Sequence, residues 1–528
     1  MKNKASSLLV VLLLAGLLVL TASGLVQPAM NGRAASPAAP ANYFIYFPFM
    51  ANLPPYDWLQ FNGDPSHSGN NTLEHTLSSA NVSQLQLLFQ VSLPAVADGA
   101  PAYLSNVTTA SGQHNIVFVT TKTGGLDALD ALTGASIWWK PSTAPACKIN
   151  NGSTACYTTS SPAIDPNRQY VYSYGLDGYV HKYAVGDGSE VVTGGWPELT
   201  STKVYDEKGS PALSLATANN GTSYLYMPNG GYPGDNGDYQ GHITAINLSD
   251  GSQKVFNSLC SNLTVHFVDS RVVSGTDCPQ VQSAIWARPG VIYDPDTDEI
   301  YMSTGNGDFT PASFDWGDSV FSLHPDGSGA GNGNPLDSYT PTNQASLNSS
   351  DLDLGSTAPA ILPVNSGKYP HLAVQGGKDH VLRLLNLDNL SGQGLPGKTG
   401  GEVSSISLSF GGQILTQPAV WTNPLDGSTW VFVADGSGLD ALQLVLDGSG
   451  NPSLVSQWTA GSGTSPIIAN GVLYYARNSL ISALDPVTGT LLWSSSSIGN
   501  IHWQSPVVVN GVLYLEDQSG HLTGFSLP

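Results

Sequence analysis

Ala128–Trp139 reads "ALDALTGASIWW" and Ala483–Trp493 reads "ALDPVTGTLLW". The two stretches lie near opposite ends of the chain and share the pattern A-x-D-x-x-T-G-x-x-x-W. Each is read as the end of one strand, a tight turn and the start of the next. The glycine supplies the positive φ that such a turn requires. Similar turns recur elsewhere as "SDG" and "PDG". The tryptophans Trp139 and Trp493 are read as packing one such unit against its neighbour.

Working outward, the same unit repeats. A strand start recurs after Pro101, Pro162, Pro211, Pro289, Pro359, Pro418, Pro466 and Pro506, as in "SPAI", "APAI" and "SPVV". An apolar strand follows each, such as "NIVFVTT", "EIYMSTG" or "HLAVQGG", and then a third, such as "GHITAINLSDG" or "DSVFSLHPDG". Several units close with a fourth. Four short strands repeated at intervals of roughly 40–80 residues predict a β-propeller rather than a sandwich. The fold class is therefore all-β, an eight-bladed propeller of four-stranded antiparallel blades over residues 57–528. A seven-bladed ring with one irregular unit is the alternative count. The last unit lacks its fourth strand, because the sequence ends at Pro528, and "LQLLFQVSL" (Leu85–Leu93) is expected to supply it. That pairing would close the ring and remove the sheet edges an open array exposes.

Bulk composition narrows the function. The 528 residues carry a formal charge of −21 with only 18 Lys+Arg, and no cation cluster suited to a phosphate backbone. Nucleic acid is excluded as a partner on that ground. Lys2 and Lys4 precede an apolar run, Leu8 to Leu20, and then Ala22-Ser23-Gly24. This is the layout of a signal peptide over 1–24, with a Pro/Ala-rich linker over 25–56. No cysteine follows the run, so a lipoprotein anchor is not expected, and the location is secreted or extracytoplasmic. Four cysteines fit an oxidising compartment. Cys147 with Cys156 and Cys260 with Cys278 is the simplest pairing of the three that sequence allows. No C-x-x-C-H haem-attachment motif is present.

The repeated A-x-D-x-x-T-G-x-x-x-W pattern resembles that of quinoprotein propellers. These include the pyrroloquinoline quinone (PQQ) alcohol dehydrogenases and cofactor-free relatives such as the outer-membrane barrel-assembly scaffold. The opening "DWLQFNGDPSHSGNNTLEHTLSSANVSQLQLLFQ" (Asp57–Gln90) looks like the start of such proteins. The resemblance implies a set of site residues. "YMSTGNGDF" places Asn306 where the family has an amide ligand to the active-site cation. "NSSDLDLGSTAPAIL" offers Asp351 and Asp353, as catalytic base and cation ligands. "AVQGGKDHVLRLLN" offers Lys378 beside the quinone. "SAIWARPGVIYDP" leaves Trp286 as the nearby tryptophan. Where the family has a glutamate ligand, this chain has "GGYPGDNGDYQG", so Asn236, Asp235 or Asp238 would have to replace it. The adjacent-cysteine pair that covers the quinone in many of these enzymes is absent.

Residue chemistry agrees with those roles. A hard cation such as Ca2+ takes six to eight oxygen ligands, among them carboxylates and amide carbonyls. It polarises a carbonyl as a Lewis acid. A carboxylate serves as proton acceptor, and an ammonium stabilises developing negative charge. His242, His380 and His502 lack metal-ligand spacing and are read as surface or packing residues. Two functions follow. The leading one, favoured by the missing glutamate and cysteine pair, is a cofactor-free extracellular module for binding or assembly with another protein. The alternative is a PQQ- and Ca2+-dependent dehydrogenase of an alcohol or sugar, for which a separate cytochrome is one of the electron acceptors the sequence leaves open.

Overall fold

The computed structural model of the protein describes residues 55–528. The expected signal peptide, and all but the last two residues of the expected linker, lie outside the described residues. Eight small sheets follow one another, each with a core of four antiparallel strands. The first strands of the blades are Ala102–Thr109, Ala163–Ile164, Ser214–Thr217, Ile292–Asp294, Ala360–Ile361, Ala419–Thr422, Ile467–Ala469 and Val507–Val509. Each comes shortly after one of the eight prolines that mark the repeat. Proline is tolerated there because a strand's first residue need not donate to the ladder. First strands touch their successors in most of the ring, as between the first three blades and between the fifth and the eighth, so they surround the axis.

The ring closes as the repeats imply. Gln86–Ser92 pairs antiparallel with His521–Ser526, placing Phe89 opposite Gly524 and Ser92 opposite His521. The eighth blade is thus built from both ends of the propeller. Apolar faces of neighbouring blades supply the core. One cluster joins Leu104, Ile116 and Phe118 of the first blade to Ile164, Val171 and Tyr183 of the second.

The structure explains the T-G signature physically. Asp130 Oδ1 accepts hydrogen bonds from the backbone N–H groups of Leu132 and Thr133, and Asp485 does the same for Val487 and Thr488. The following glycines, Gly134 and Gly489, have φ of 71°. They also lie beneath an aromatic ring of the preceding blade. A Cβ on Gly134 would meet Phe89 at 2.7 Å, and one on Gly489 would meet Trp458 at 2.7 Å. The turn glycine therefore meets two demands, one conformational and one steric. The tryptophans dock through their indole N–H. Trp493 donates to Leu85 O at 3.0 Å, entering the next blade as expected. In the first repeat the bridge comes from Trp138, which donates to Val185 O at 3.0 Å. Trp139 instead lies against Gly125 of its own blade, because Trp138 is the equivalent of Trp493: it pairs with Ala128 as Trp493 pairs with Ala483, beside the same register shift.

A second device involves the opening motif. Residues 58–71 run around the innermost strands and meet seven of them in chain order. The contacts reach Tyr103, Ile164, Leu215, Tyr293, Val420, Ile468 and Val508. Innermost strands have one edge without a ladder partner, and this segment satisfies part of it. The disulfides are Cys147–Cys156 and Cys260–Cys278, with Cα separations of 5.3 and 6.0 Å. No helix among the described residues is long and apolar enough to cross a membrane.

Candidate ligand site on the propeller axis

Loops that enter the first strands, and loops that join second to third strands, converge around a cavity of about 250 Å³. Its walls come from several blades. Lys208 and Asp235 belong to the third blade, Trp286 and Arg288 to the approach to the fourth, and Asp351, Asp353 and Lys378 to the fifth. Trp503 precedes the eighth. Sequence-distant side chains therefore meet because each blade contributes the same two loops.

The fourth-blade loop carries Asn306 just beyond the strand Glu299–Ser303. Its glycines permit close approach. A Cβ on Gly305 would stand 2.2 Å from Asp353 Oδ1 and 3.1 Å from Trp286 Nε1, and one on Gly355 would meet the backbone of Thr304 at 2.3 Å. Asn306 N donates to Asp353 Oδ1 at 2.6 Å, and Asn306 Nδ2 donates to Asp351 Oδ1 at 3.0 Å. Lys378 follows the strand Leu372–Gln375. Its Nζ lies 2.8 Å from Asp351 Oδ1 and 2.5 Å from Asp353 Oδ2. The same nitrogen is 5.6 Å from the centre of the Trp286 ring. Burial alone would lower the Lys378 ammonium. The charges and hydrogen bonds of Asp353 and Asp351 outweigh it and hold the group above the ordinary lysine value. Burial raises Asp353 above the usual carboxylate range, against the pull of Lys378 and the Asn306 amide.

The opposite wall is basic. Arg288 donates to Asp98 O at 2.9 Å and Thr159 O at 3.2 Å, and Lys208 is buried beside it. Arg288 and Asp98 also bear on Glu516, a fully buried acid pushed up to about 8 by burial first and by Asp98 second. Its Oε2 has no hydrogen-bond partner among the described residues, which suits a protonated carboxyl. Because the folded value is raised, the native state keeps this proton between about pH 4.5 and 8 while the unfolded chain releases it. Stability from this group is therefore fully present at the acid end of that window and is lost as pH rises through it. Glu516→Gln is expected to melt like the parent near pH 5 and at a higher temperature near pH 8. A scan of melting temperature against pH checks this; equal slopes for both proteins would refute it.

The residues expected from sequence are placed as follows. Asp351, Asp353, Lys378 and Trp286 line the cavity, and Asn306, which does not line it, joins them through its hydrogen bonds to Asp353 and Asp351. Asn236 does not join them. It is exposed on its loop, and its neighbour Asp235 lines the cavity instead, with Oδ1 accepting from Tyr239 Oη at 2.7 Å. Asp238 is drawn away to Lys203 at 3.2 Å. His242 and His502 are engaged with Thr200 O and Asp98 respectively. Sequence reasoning missed Lys208 and Arg288. Their only signal was a cation within three residues before a strand-start proline, in "EKGSPAL" and "ARPGV", within a chain poor in cations.

A cation test turns on Asn306. Its Oδ1 is buried and accepts no hydrogen bond among the described residues. With Asp351 and Asp353 it forms an oxygen donor set of the kind hard cations take. Among the described residues no group of three or more His, Cys, Asp or Glu side chains is arranged to hold a metal. Three side chains offer fewer oxygens than the six to eight such a cation takes, and both carboxylates already meet Lys378 Nζ.

Known proteins resemble the chain in part of its sequence and in its fold. A family model described as outer membrane protein assembly factor BamB, of the PQQ-repeat type, matches residues 82–276. No curated protein sequence is significantly similar to the chain. Solved structures share the fold at low identity. The quinohemoprotein alcohol dehydrogenase ADHIIG from Pseudomonas putida HK5 aligns with a TM-score of 0.60 at 13% identity, over 89% of this chain and 80% of that one. A europium-containing methanol dehydrogenase aligns at 0.58 and 16%, over 87% and 89%. The quinohemoprotein alcohol dehydrogenase from Comamonas testosteroni aligns at 0.58 and 16%, over 89% and 80%. The chain thus carries a PQQ-repeat segment over residues 82–276 and shares its propeller fold with these dehydrogenases.

Proposed function

We propose that the protein is a secreted quinone-dependent dehydrogenase of an alcohol or sugar, holding PQQ and a hard cation such as Ca2+ in the axial cavity. The observation that carries this reading is the buried, unpartnered Asn306 Oδ1 beside two carboxylates that both touch Lys378. The alcohol and methanol dehydrogenases among the structures of similar fold support the chemical class.

Asn306, Asp351 and Asp353 would hold the cation, and Trp286 would offer a flat wall to the quinone. When bound, the quinone and its cation would supply the redox centre and the Lewis acid. The chain's own residues do the rest. Asp351 is the leading proton acceptor, because its Oδ1 takes both Lys378 and Asn306 while Oδ2 carries no hydrogen bond among the described residues. Lys378 holds a positive charge at the cavity wall, where it stabilises negative charge on a reduced ligand. The two disulfides support an oxidising compartment.

A cofactor-free binding or assembly module is the second reading. The ammonium of Lys378 already answers both carboxylates, and the matched family description names an assembly factor. One experiment separates the two. Purified protein is mixed with PQQ and Ca2+, desalted, and assayed for quinone absorbance and for dye reduction with primary alcohols and aldoses. Retained quinone with substrate-dependent reduction is expected. Protein that emerges without quinone absorbance and reduces no dye sinks the dehydrogenase and leaves the module.

A further inference from the structure

The basic end of the cavity contains a lysine that the quinone chemistry does not use. Lys208 lies in the short strand Glu207–Lys208, held against Gly231 and Gly230. It is 6% exposed, yet it lines the cavity. Its Nζ stands 4.6 Å from the centre of the Tyr157 ring and 5.9 Å from that of Tyr232. Among the described residues no carboxylate forms an ion pair with it. Asp98, the acid whose charge reaches it, is engaged by Lys122 at 3.2 Å and His502 at 2.9 Å. The adjacent Glu207 turns instead to Ser201 Oγ and the backbone N–H of Gln240. Arg288 lies on the same cavity wall and presents a second buried cation.

A buried amine set among aromatic rings and beside another cation, with no carboxylate to hold its proton, is the arrangement that activates a lysine as a nucleophile. We propose that Lys208 is a reactive amine that condenses with the carbonyl carbon of a small 2-oxo acid admitted to the cavity, Arg288 attracting the acid's carboxylate. In the condensation the neutral amine of Lys208 forms a C–N bond to the carbonyl carbon. The carbonyl oxygen leaves as water with two hydrogens, and an imine remains, so the step is redox-neutral. The titration of Lys208 agrees. Burial first, then Arg288 and Lys122, bring it down to about 7, with Asp98 opposing. Tyr157 and Tyr232, the rings that face it, are themselves raised by burial, as is the carboxyl of Glu207. The amine is therefore substantially neutral near pH 7, where exposed lysines are charged.

The proposal needs neither quinone nor cation, so its outcome is independent of the dehydrogenase reading. The full-length protein is incubated with pyruvate and sodium cyanoborohydride at pH 7, digested, and mapped by mass spectrometry. At least about tenfold more reduced adduct is expected on Lys208 than on exposed lysines such as Lys148, since an ordinary lysine titrates near 10.4. Acetaldehyde, which lacks a carboxylate, should label Lys208 less selectively. Lys208→Arg keeps the charge and should lose the adduct while retaining the parent's circular dichroism. Labelling spread over surface lysines with none on Lys208 in the parent protein overturns the proposal, and that result does not depend on any variant folding.

Discussion

Asp351→Asn is expected to lose roughly 10²–10⁴-fold in quinone-dependent dye reduction, the range typical of a positioned proton acceptor, while still retaining PQQ after desalting. Asparagine is the informative replacement because Asp351 has φ of 53°. Asn adopts that left-handed conformation readily, whereas Ala would add backbone strain to the chemical effect. The amide keeps an oxygen for a cation but cannot accept the hydroxyl proton. Lys378→Met should also lose turnover, for a different reason. It leaves buried Asp353 without its ammonium, so Ca2+ should bind more tightly to this variant as turnover falls. Calorimetric Ca2+ titration alongside dye reduction distinguishes the two roles. Parent-level activity in both variants, with unchanged melting curves, would remove Asp351 and Lys378 from the chemistry even though the cavity is well formed.

The parts of this site legible in sequence were those tied to the repeat. Asn306 follows a second strand, Lys378 follows another, and Asp351 and Asp353 precede a first strand. The resemblance to quinoprotein propellers named all four, and the blade count places them on the two kinds of loop that line the cavity. Trp286 was legible for the same reason. The third-blade loop was not. "PGDNGD" offers three polar residues in succession, and which one faces the axis depends on a backbone path that no periodicity encodes. The structure turns Asp235 inward, with φ of 51°, and leaves Asn236 in solvent. Lys208 and Arg288 were missed because a cation beside a strand-start proline looks like an ordinary exposed loop residue. Only the ring places those positions on a buried axis. The opening motif was recognisable by resemblance, but its course along seven inner strands was not. That course depends on strand edges contributed by residues as distant as Val508. Trp138, by contrast, was legible as the bridging residue, since the repeated pattern aligns it and not Trp139 with Trp493.

Removing residues 520–528 is expected to prevent folding altogether, because the last strand does the work of two. His521–Ser526 pairs with Val512–Glu516 on one side and with Gln86–Ser92 on the other. Its loss would leave the eighth blade as two separated pieces and the N-terminal strand with no partner. Both faces of this strand are in the core. Leu522 packs with Phe89, Leu93 and Tyr514, while Phe525 packs with Leu85, Leu513 and Trp493. The effect can be graded. Phe525 is 1% exposed, and Phe525→Ala should cost about 3–5 kcal/mol, the usual range for a buried phenylalanine. Its ring meets Trp493 edge-on at a centroid distance of 5.2 Å, so the cavity left would lie directly between the seventh and eighth blades. Removing only Pro528, which is exposed, should leave the melting temperature unchanged. Denaturant unfolding of the point variant, and soluble yield with circular dichroism of the truncations, give the comparison. If the chain lacking residues 520–528 still unfolded cooperatively at a temperature near the parent's, ring closure by Gln86–Ser92 would not be what holds the propeller together.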